Sequence, residues 1–262
     1  MQDKIRGLLN QRQRYIIEKV KEEGTVRVSA LSNSFEVSEE TIRRDLEKLE
    51  NEGFVHRVHG GAIGKRQDGI EVPLLKRKEK HYKEKIALAK EASKCIDDGD
   101  IIGIDASTTC ALLAKEIKDQ NLTVITNSIV VALELANAPA VSVIVVGGHL
   151  RQDSLSLVGF TTENTIEKYH IDKFFFSCSG FDIKRGVSDQ HEQQAQTKSK
   201  MMSISEKNYL LADSSKFEVK SLVQVCDFDS IDCLYTDNNM EISKIRKLNE
   251  VGIVTEIAKV EE

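Results

Sequence analysis

The chain has 262 residues, of which 40% are hydrophobic and 30% charged, with a formal net charge of −5. That length holds one large domain, or a small one beside a medium one, and the acidic balance excludes a protein that coats nucleic acid. No apolar run reaches the ~18–20 residues of a bilayer span, and no apolar signal core follows the start, so a cytoplasmic protein with no membrane partner is expected.

The charge is unevenly spread. Residues 1–66 carry 13 Lys+Arg against 11 Asp+Glu, and the rest is net acidic. A small basic head on an acidic body suits a DNA reader joined to a non-DNA domain. The five cysteines (Cys95, Cys110, Cys178, Cys226, Cys233) are scattered without CxxC spacing and read as reduced thiols.

Residues 1–61 read as a short helical head. Leu9, Ile16, Ile17 and Val20 recur at helical spacing until Gly24, and Val28, Leu31 and Phe35 mark a second helix. A third helix is predicted from Ser38 to about Glu52, stopping at Gly53. Ser38 is its N-cap, and Val37 and Ile42 occupy the two positions of a hydrophobic staple. Ile42, Leu46 and Leu49 form one apolar face. Glu40, Arg43, Arg44 and Glu47 lie opposite, with Thr41 at the edge of the exposed arc. A recognition helix needs this division, because its apolar side anchors it while its N-terminal half offers polar groups to the major groove. Arginines there suit phosphate or guanine edges. A hairpin over Phe54–His59 follows as a wing, with phosphate contacts expected from Arg57, His59 and the Gly60 and Gly61 amides. The candidate DNA-binding residues are therefore Ser38, Glu40, Thr41, Arg43, Arg44, Arg57, His59, Gly60 and Gly61. His56 and His59 lack a cysteine or carboxylate partner beside them, so no metal site is expected.

Residues 62–75, with two glycines and Pro73, read as a linker, and one charged helix is predicted at about 76–96. Residues 76–262 form the body. Apolar runs at Ile101–Ile104, Leu122–Ile125, Val141–Val146, Phe174–Phe176, Tyr209–Ala212, Cys233–Tyr235 and Gly252–Ile257 alternate with helical stretches. Runs apolar at every position indicate strands buried on both faces, hence an α/β domain with a largely parallel sheet.

Polar clusters follow these strands. They are Asp105 with Ser107, Thr108 and Thr109; Thr126-Asn127-Ser128; Gly147-Gly148 with Arg151; Ser179-Gly180; and Asp213 with Lys216. Ligands bind outside the carboxyl ends of such strands. A helix opening at Ser107–Thr109 favours an anion, Arg151 and Lys216 add positive charge, and Asp105 can accept from sugar hydroxyls. A phosphorylated polyol is the expected ligand, with no catalytic residue and no cofactor.

Thr41-Ile42-Arg43-Arg44-Asp45-Leu46, Leu49 and His56-Arg57-Val58-His59-Gly60-Gly61-Ala62 resemble the signature of the DeoR family of bacterial transcription regulators. The resemblance implies a winged helix-turn-helix domain over residues 1–61, with the helix-turn-helix itself at Val26–Asp45, and a Rossmann-like effector domain, related to sugar-phosphate isomerases, over about residues 74–237. Asp105-Ala-Ser107-Thr108-Thr109 is similar to that family's Asp-x-Gly-Thr-Thr loop, and Gln194 and Lys198 fall at a further matching block. Two departures stand out. Ser107 replaces the usual glycine, which crowds a backbone-bound phosphate or adds a hydroxyl to it. Gln194 replaces the usual glutamate, and an amide cannot act as a carboxylate base. The resemblance thus implies a regulator, most simply a repressor of a carbohydrate-utilisation operon, that binds operator DNA as a homo-oligomer and responds to a phosphorylated sugar. The alternatives are a sugar-phosphate isomerase-like enzyme and an effector-independent DNA-binding oligomer.

Overall fold

The chain divides into two units, residues 1–67 and 68–262. The structure, a computed structural model, describes residues 9–23, 25–52, 54–58, 60–64 and 74–261. Gly24, Gly53, His59 and most of the expected linker, with Pro73, lie outside the described residues.

The head opens with α1 (Gln11–Glu23), a short strand β1 (Thr25–Arg27) and α2 (Val28–Phe35). Glu36 ends α2 in the left-handed region, φ 52°, and the Val37 N–H closes the turn on the Ser32 carbonyl. Helix α3 (Glu39–Asn51) follows, then β2 (Val55–Val58) and β3 (Gly61–Gly64). Ile16, Val28, Leu31, Ile42, Leu46 and Leu49 are all buried in one apolar cluster, so the 3.6-residue period does fix which face of each helix turns inward. The wing has one strand more than the expected hairpin. β1 pairs with β3, which pairs with β2, all antiparallel, so the sheet order is β1-β3-β2. Strand β3 also carries the head past residue 61, where the glycine pair reads as its end.

In the body, the single charged helix expected over 76–96 is two helices, α4 (Leu74–Glu79) and α5 (Tyr82–Ser93). They part at His81, whose φ of 53° no helix accommodates. The chain then alternates: β4 (Ile101–Ile104), α6 (Thr108–Glu116), β5 (Leu122–Thr126), α7 (Ile129–Leu135) and β6 (Val141–Val145). A hairpin of β7 (His149–Arg151) and β8 (Ser156–Val158) precedes α8 (Phe160–Ile166) and β9 (Ile171–Phe176). After β10 (Gly180–Asp182) and β11 (Gly186–Asp189) come α9 (Glu192–Ser203), β12 (Ser205–Leu211), β13 (Val223–Cys226), β14 (Cys233–Asp237), α10 (Ile242–Glu250) and β15 (Thr255–Ala258).

The central sheet has seven parallel strands in the order β15-β14-β12-β9-β4-β5-β6, and each contains or overlaps one of the seven apolar runs. Successive side chains go to opposite layers. Ile102, Ile104, Phe175 and Tyr209 pack with Leu88, Leu112 and Leu113 of α5 and α6. Phe174, Phe176, Leu210 and Leu234 pack with Ile166, Met201 and Leu248 of α8, α9 and α10. Both faces are thus covered by helices, which is why these strands read as continuous apolar runs. A small antiparallel sheet, β10-β11-β13, lies outside the expected pattern.

Candidate functional site

In the head, the Ser38 hydroxyl accepts from the Thr41 N–H at 3.2 Å and lies 2.9 Å from the Thr41 hydroxyl, which fixes the start of α3. Asp45 is buried and receives bonds from Arg12 Nε at 2.5 Å and Gln13 Nε2 at 2.7 Å, tying α3 to α1. The solvent face then carries Arg43, paired with Glu39 at 2.6 Å, and Arg44, paired with Glu40 at 3.4 Å. Exposed i,i+4 pairs of this kind contribute only about 0.3–0.5 kcal/mol. Arg57 is exposed, and its backbone N–H is held by the Glu50 carboxylate at 2.8 Å. Gly60 is exposed with φ 82°. Gly61 departs from its expected role. It is buried inside the wing sheet opposite Arg27 and Val58, where it serves close strand approach. His59 lies outside the described residues.

In the body, sheet order reverses between β4 and β9, because β5 and β6 continue to one side while β12, β14 and β15 continue to the other. A crevice opens outside the carboxyl ends of the strands at such a switch point. Asp105 stands there, wholly buried. Its carboxylate accepts from the N–H of Ser107 at 2.9 Å and of Ser177 at 3.2 Å, so it joins the loops that leave β4 and β9. Beside it lies a cavity of about 300 Å³, lined by the opening of α6, the segment after β9, the β11–α9 region, residues 213–219, and α4–α5.

The cavity is rich in cations. Lys198 of α9 bonds to Asp189 and lies 3.3 Å from Asp105. Burial alone would lower its pKa, but the two carboxylates override that and hold it well above the usual lysine range. Asp189 is correspondingly held below the usual carboxylate range: burial pushes it up, but the Lys198 ammonium and the Ser179 hydroxyl, 2.5 Å away, prevail. Lys216 donates to the Ser177 hydroxyl at 2.8 Å and lies 3.9 Å from Asp213. Asp213 is buried. Burial raises its pKa, yet Lys216 and the Ser215 hydroxyl bring it below the ordinary value. From α4–α5, Arg77, Lys80, His81 and Lys85 complete the wall. Lys85 is buried and donates to the Arg77 carbonyl at 2.5 Å. Burial first, then Lys216, lowers its pKa to about 8.

Of the expected ligand residues, Ser107, Thr108, Ser179, Gln194, Lys198, Asp213 and Lys216 line the cavity. Ser107 has φ −84° and ψ 157°, ordinary extended backbone, and its hydroxyl caps α6 by accepting from Cys110 N–H at 3.1 Å. It therefore needs no glycine, and its oxygen is engaged by the helix rather than thrust at a ligand. Gln194 donates from its side-chain amide to the Ser154 hydroxyl at 2.8 Å and the Ser156 hydroxyl at 2.6 Å. Asp105 and Thr109 sit behind the lining. Thr126, Asn127, Ser128, Gly147, Gly148, Arg151 and Gly180 do not line the cavity, so the five clusters do not all converge. The Thr126 hydroxyl bonds the Ile104 carbonyl at 2.6 Å, Asn127 Nδ2 bonds the Leu157 carbonyl at 3.1 Å, and Ser128 caps α7. Gly147 offers its carbonyl to the Thr162 hydroxyl, and a Cβ on Gly148 would stand 1.9 Å from that same oxygen. Arg151 is engaged with His191 and Asp153. Gly180 lies against Val219.

Two family descriptions match the chain: a DeoR-like helix-turn-helix domain over residues 12–67, and a DeoR C terminal sensor domain over residues 80–238. The chain is 42% identical to the uncharacterized HTH-type transcriptional regulator YulB of Bacillus subtilis, over 93% of this chain and 94% of that one. It is 36% identical to the L-fucose operon activator of Haemophilus influenzae, over 88% and 93%. The chain belongs to the DeoR family of transcriptional regulators. Among solved structures it resembles ribose 5-phosphate isomerase A of Methanocaldococcus jannaschii, with a TM-score of 0.40 and 16% identity, over 52% of this chain and 55% of that one.

The sensor domain of this DeoR-family chain contains cavity-lining residues that the sequence did not single out. Arg77, Lys80, His81 and Lys85 sit in what looked like a solvated charged helix, and the break at His81 is what lets the segment wall the cavity. Asp189 belongs to a strand too polar to read as buried, although all four residues of β11 are. The fold also gathers His170, Asp172 and Glu206, with ligand atoms within 4.8 Å. His170 Nε2 lies 3.2 Å from Asp172 and 3.4 Å from Glu206, and Asp172 also accepts from the Ile101 N–H, so the three form a polar surface cluster.

Proposed function

We propose that this DeoR-family regulator represses a carbohydrate-utilisation operon in the cytoplasm, and that a phosphorylated sugar in the switch-point cavity modulates its binding to operator DNA. The observation that carries this reading is the cavity wall itself. Lys85, Lys198, Lys216, Lys80 and Arg77 outnumber Asp189 and Asp213, and Ser107 and Thr108 at the N-terminal end of α6 line the same space, where a helix favours an anion. A phosphate ester suits the cations. The serine hydroxyls and Asp213 suit a polyol.

Operator recognition falls to α3, with Arg43 and Arg44 on its outer face and Arg57 on the wing. One head makes few contacts, so tight binding calls for a homo-oligomer presenting two heads to a two-fold site. The committed geometry of Gln194, whose amide serves two serines, supports a sensor without turnover. Thermal shift against hexose and pentose phosphates, each beside its unphosphorylated sugar, tests the cavity. A ligand at 100 times its dissociation constant stabilises by about 2.7 kcal/mol. A mobility-shift assay on the protein's own upstream DNA, with and without that ligand, tests the coupling.

A relative named as an L-fucose operon activator supports a second reading, in which the liganded protein switches transcription on. A reporter fused to the bound promoter decides the sign.

A further inference from the structure

Three lysines of the body, two buried and one partly buried, contrast in how their charge is compensated. Lys198 has two carboxylates, Asp189 and Asp105. Lys173, partly buried, has Asp97 at 3.0 Å and Asp100 at 2.7 Å. Lys85, only 5% exposed, has no ion pair among the described residues. Its ammonium has three protons to donate, and among those residues one goes to the Arg77 carbonyl. Burial opposes its charge most, the cations Lys216, Arg77 and Lys80 oppose it further, and Asp213 favours it. A buried charge without a partner is costly. Folded proteins keep one where something else completes it, and here Lys85 lines a cavity.

We propose that Lys85 is the residue that reads the anionic group of the effector, its ammonium and that of Lys216 taking the phosphate of a sugar phosphate between them. This rests on the reading of the cavity as an effector site. The ligand oxygen occupies the donor positions left beside the Arg77 bond, so the bond that holds α4 to α5 persists in the complex. The phosphate then neutralises the mutual repulsion of Lys85 and Lys216, while the sugar hydroxyls face Asp213 and the serines. Lys198, already neutralised twice, is a positioning residue for Asp105 and Asp189 and contributes little net charge to the ligand.

The test uses the full chain and four proteins: wild type, Lys85→Met, Lys85→Arg and Lys198→Met. The probes are glucose 6-phosphate, fructose 6-phosphate, fructose 1-phosphate and ribose 5-phosphate, with the unphosphorylated sugars beside them, read by calorimetry and thermal melting. Lys85→Met is expected to lose about 100-fold in affinity for whichever phosphate ester binds the wild type, because an anion loses its charged donor. Lys85→Arg retains most of it. The unliganded Lys85→Met protein should melt no lower than wild type, since an uncompensated charge has been removed. That is the readout a merely structural lysine would reverse. Binding by Lys85→Met within threefold of wild type overturns the proposal and leaves the cavity reading intact. A lowered unliganded melting point with binding lost, and not recovered in Lys85→Arg, also overturns it. Wild type that binds esters and free sugars equally overturns it too. Wild type that responds to no probe removes the cavity reading, and this inference with it.

Discussion

A Cβ on Gly61 would stand 2.0 Å from the carbonyl oxygen of Val26, the close approach by which β1 joins the wing. Backbone cannot yield as a flexible side chain does. Gly61→Ala should therefore cost the head about 3 kcal/mol, the upper range for overpacking, and abolish operator binding. Gly60 differs. Nothing lies within 4 Å of its Cβ position, and only its φ of 82° resists substitution. Gly60→Asn should cost under ~1 kcal/mol, since asparagine tolerates that region. Melting of the two variants separates steric from conformational need.

Asp45 should be worth more to the head than any surface charge. Its carboxylate holds both Arg12 and the buried Gln13 amide. Asp45→Ala leaves buried donors without a partner, a loss of about 2–3 kcal/mol measurable by urea denaturation.

Arg43 and Arg44 should show the opposite balance. Their pairs with Glu39 and Glu40 are exposed, so Arg43→Ala/Arg44→Ala should change stability by less than ~1 kcal/mol. Operator affinity should fall at least tenfold, with the salt dependence of binding reduced by about 2 in slope if both arginines sit on phosphate. Mobility shift across a salt series measures both. Undiminished binding would remove α3 as the recognition element.

Ser107→Gly restores the residue usual in the resembled loop. Since the hydroxyl is engaged by Cys110 N–H, its removal should cost only a few tenths of a kcal/mol, and effector affinity should stay within about threefold. A large gain in affinity would show the side chain to be obstructive.

The titration of Lys85 gives two opposite pH trends. The charges that act on it are those of Lys216, Asp213, Arg77 and Lys80. Folded, it loses its proton near pH 8, against 10.5 ordinarily. Between those values the unfolded chain holds a proton that the folded chain does not, so stability contributed at this site rises with pH over that window. Below about pH 8 both states are protonated and the full burial cost is present. Effector affinity should run the other way and fall above about pH 8. Calorimetry of wild type and Lys85→Arg from pH 6.5 to about 9.5 checks the sign, because arginine stays charged throughout.

The architecture was legible because its determinants are local. Seven runs apolar at every position, or nearly so, became the seven strands of one parallel sheet, and Ile42, Leu46 and Leu49 became the inner face of α3. The site was legible only in part because its determinants are not local. Thr126 and Asn127 look like ligand groups until Ile104 and Leu157, far away in sequence, claim their side chains. Lys85 looks solvated until α5 packs Ala89 and Leu88 beneath the sheet and draws the lysine in with them. The polar strand β11 is buried by its hydrogen bonds rather than by apolar character, as with Ser188 to the Gly180 carbonyl at 3.2 Å.

Strand β4 is flanked by β5 on one side and β9 on the other, with Gly103 opposite Phe174. The first neighbour follows β4 off the ribosome within a few tens of residues, but the second follows only after some seventy. At synthesis rates of about 5–20 residues per second, β4 waits several seconds with the backbone groups of one edge unpaired, and pairing over such separations is intrinsically slow. The strand that places Asp105 at the centre of the sensor is therefore also where the nascent chain is most exposed to misassociation. Slowing translation before β9, or limiting chaperone supply, should lower the yield of the sensor domain while leaving the early, locally folded head intact.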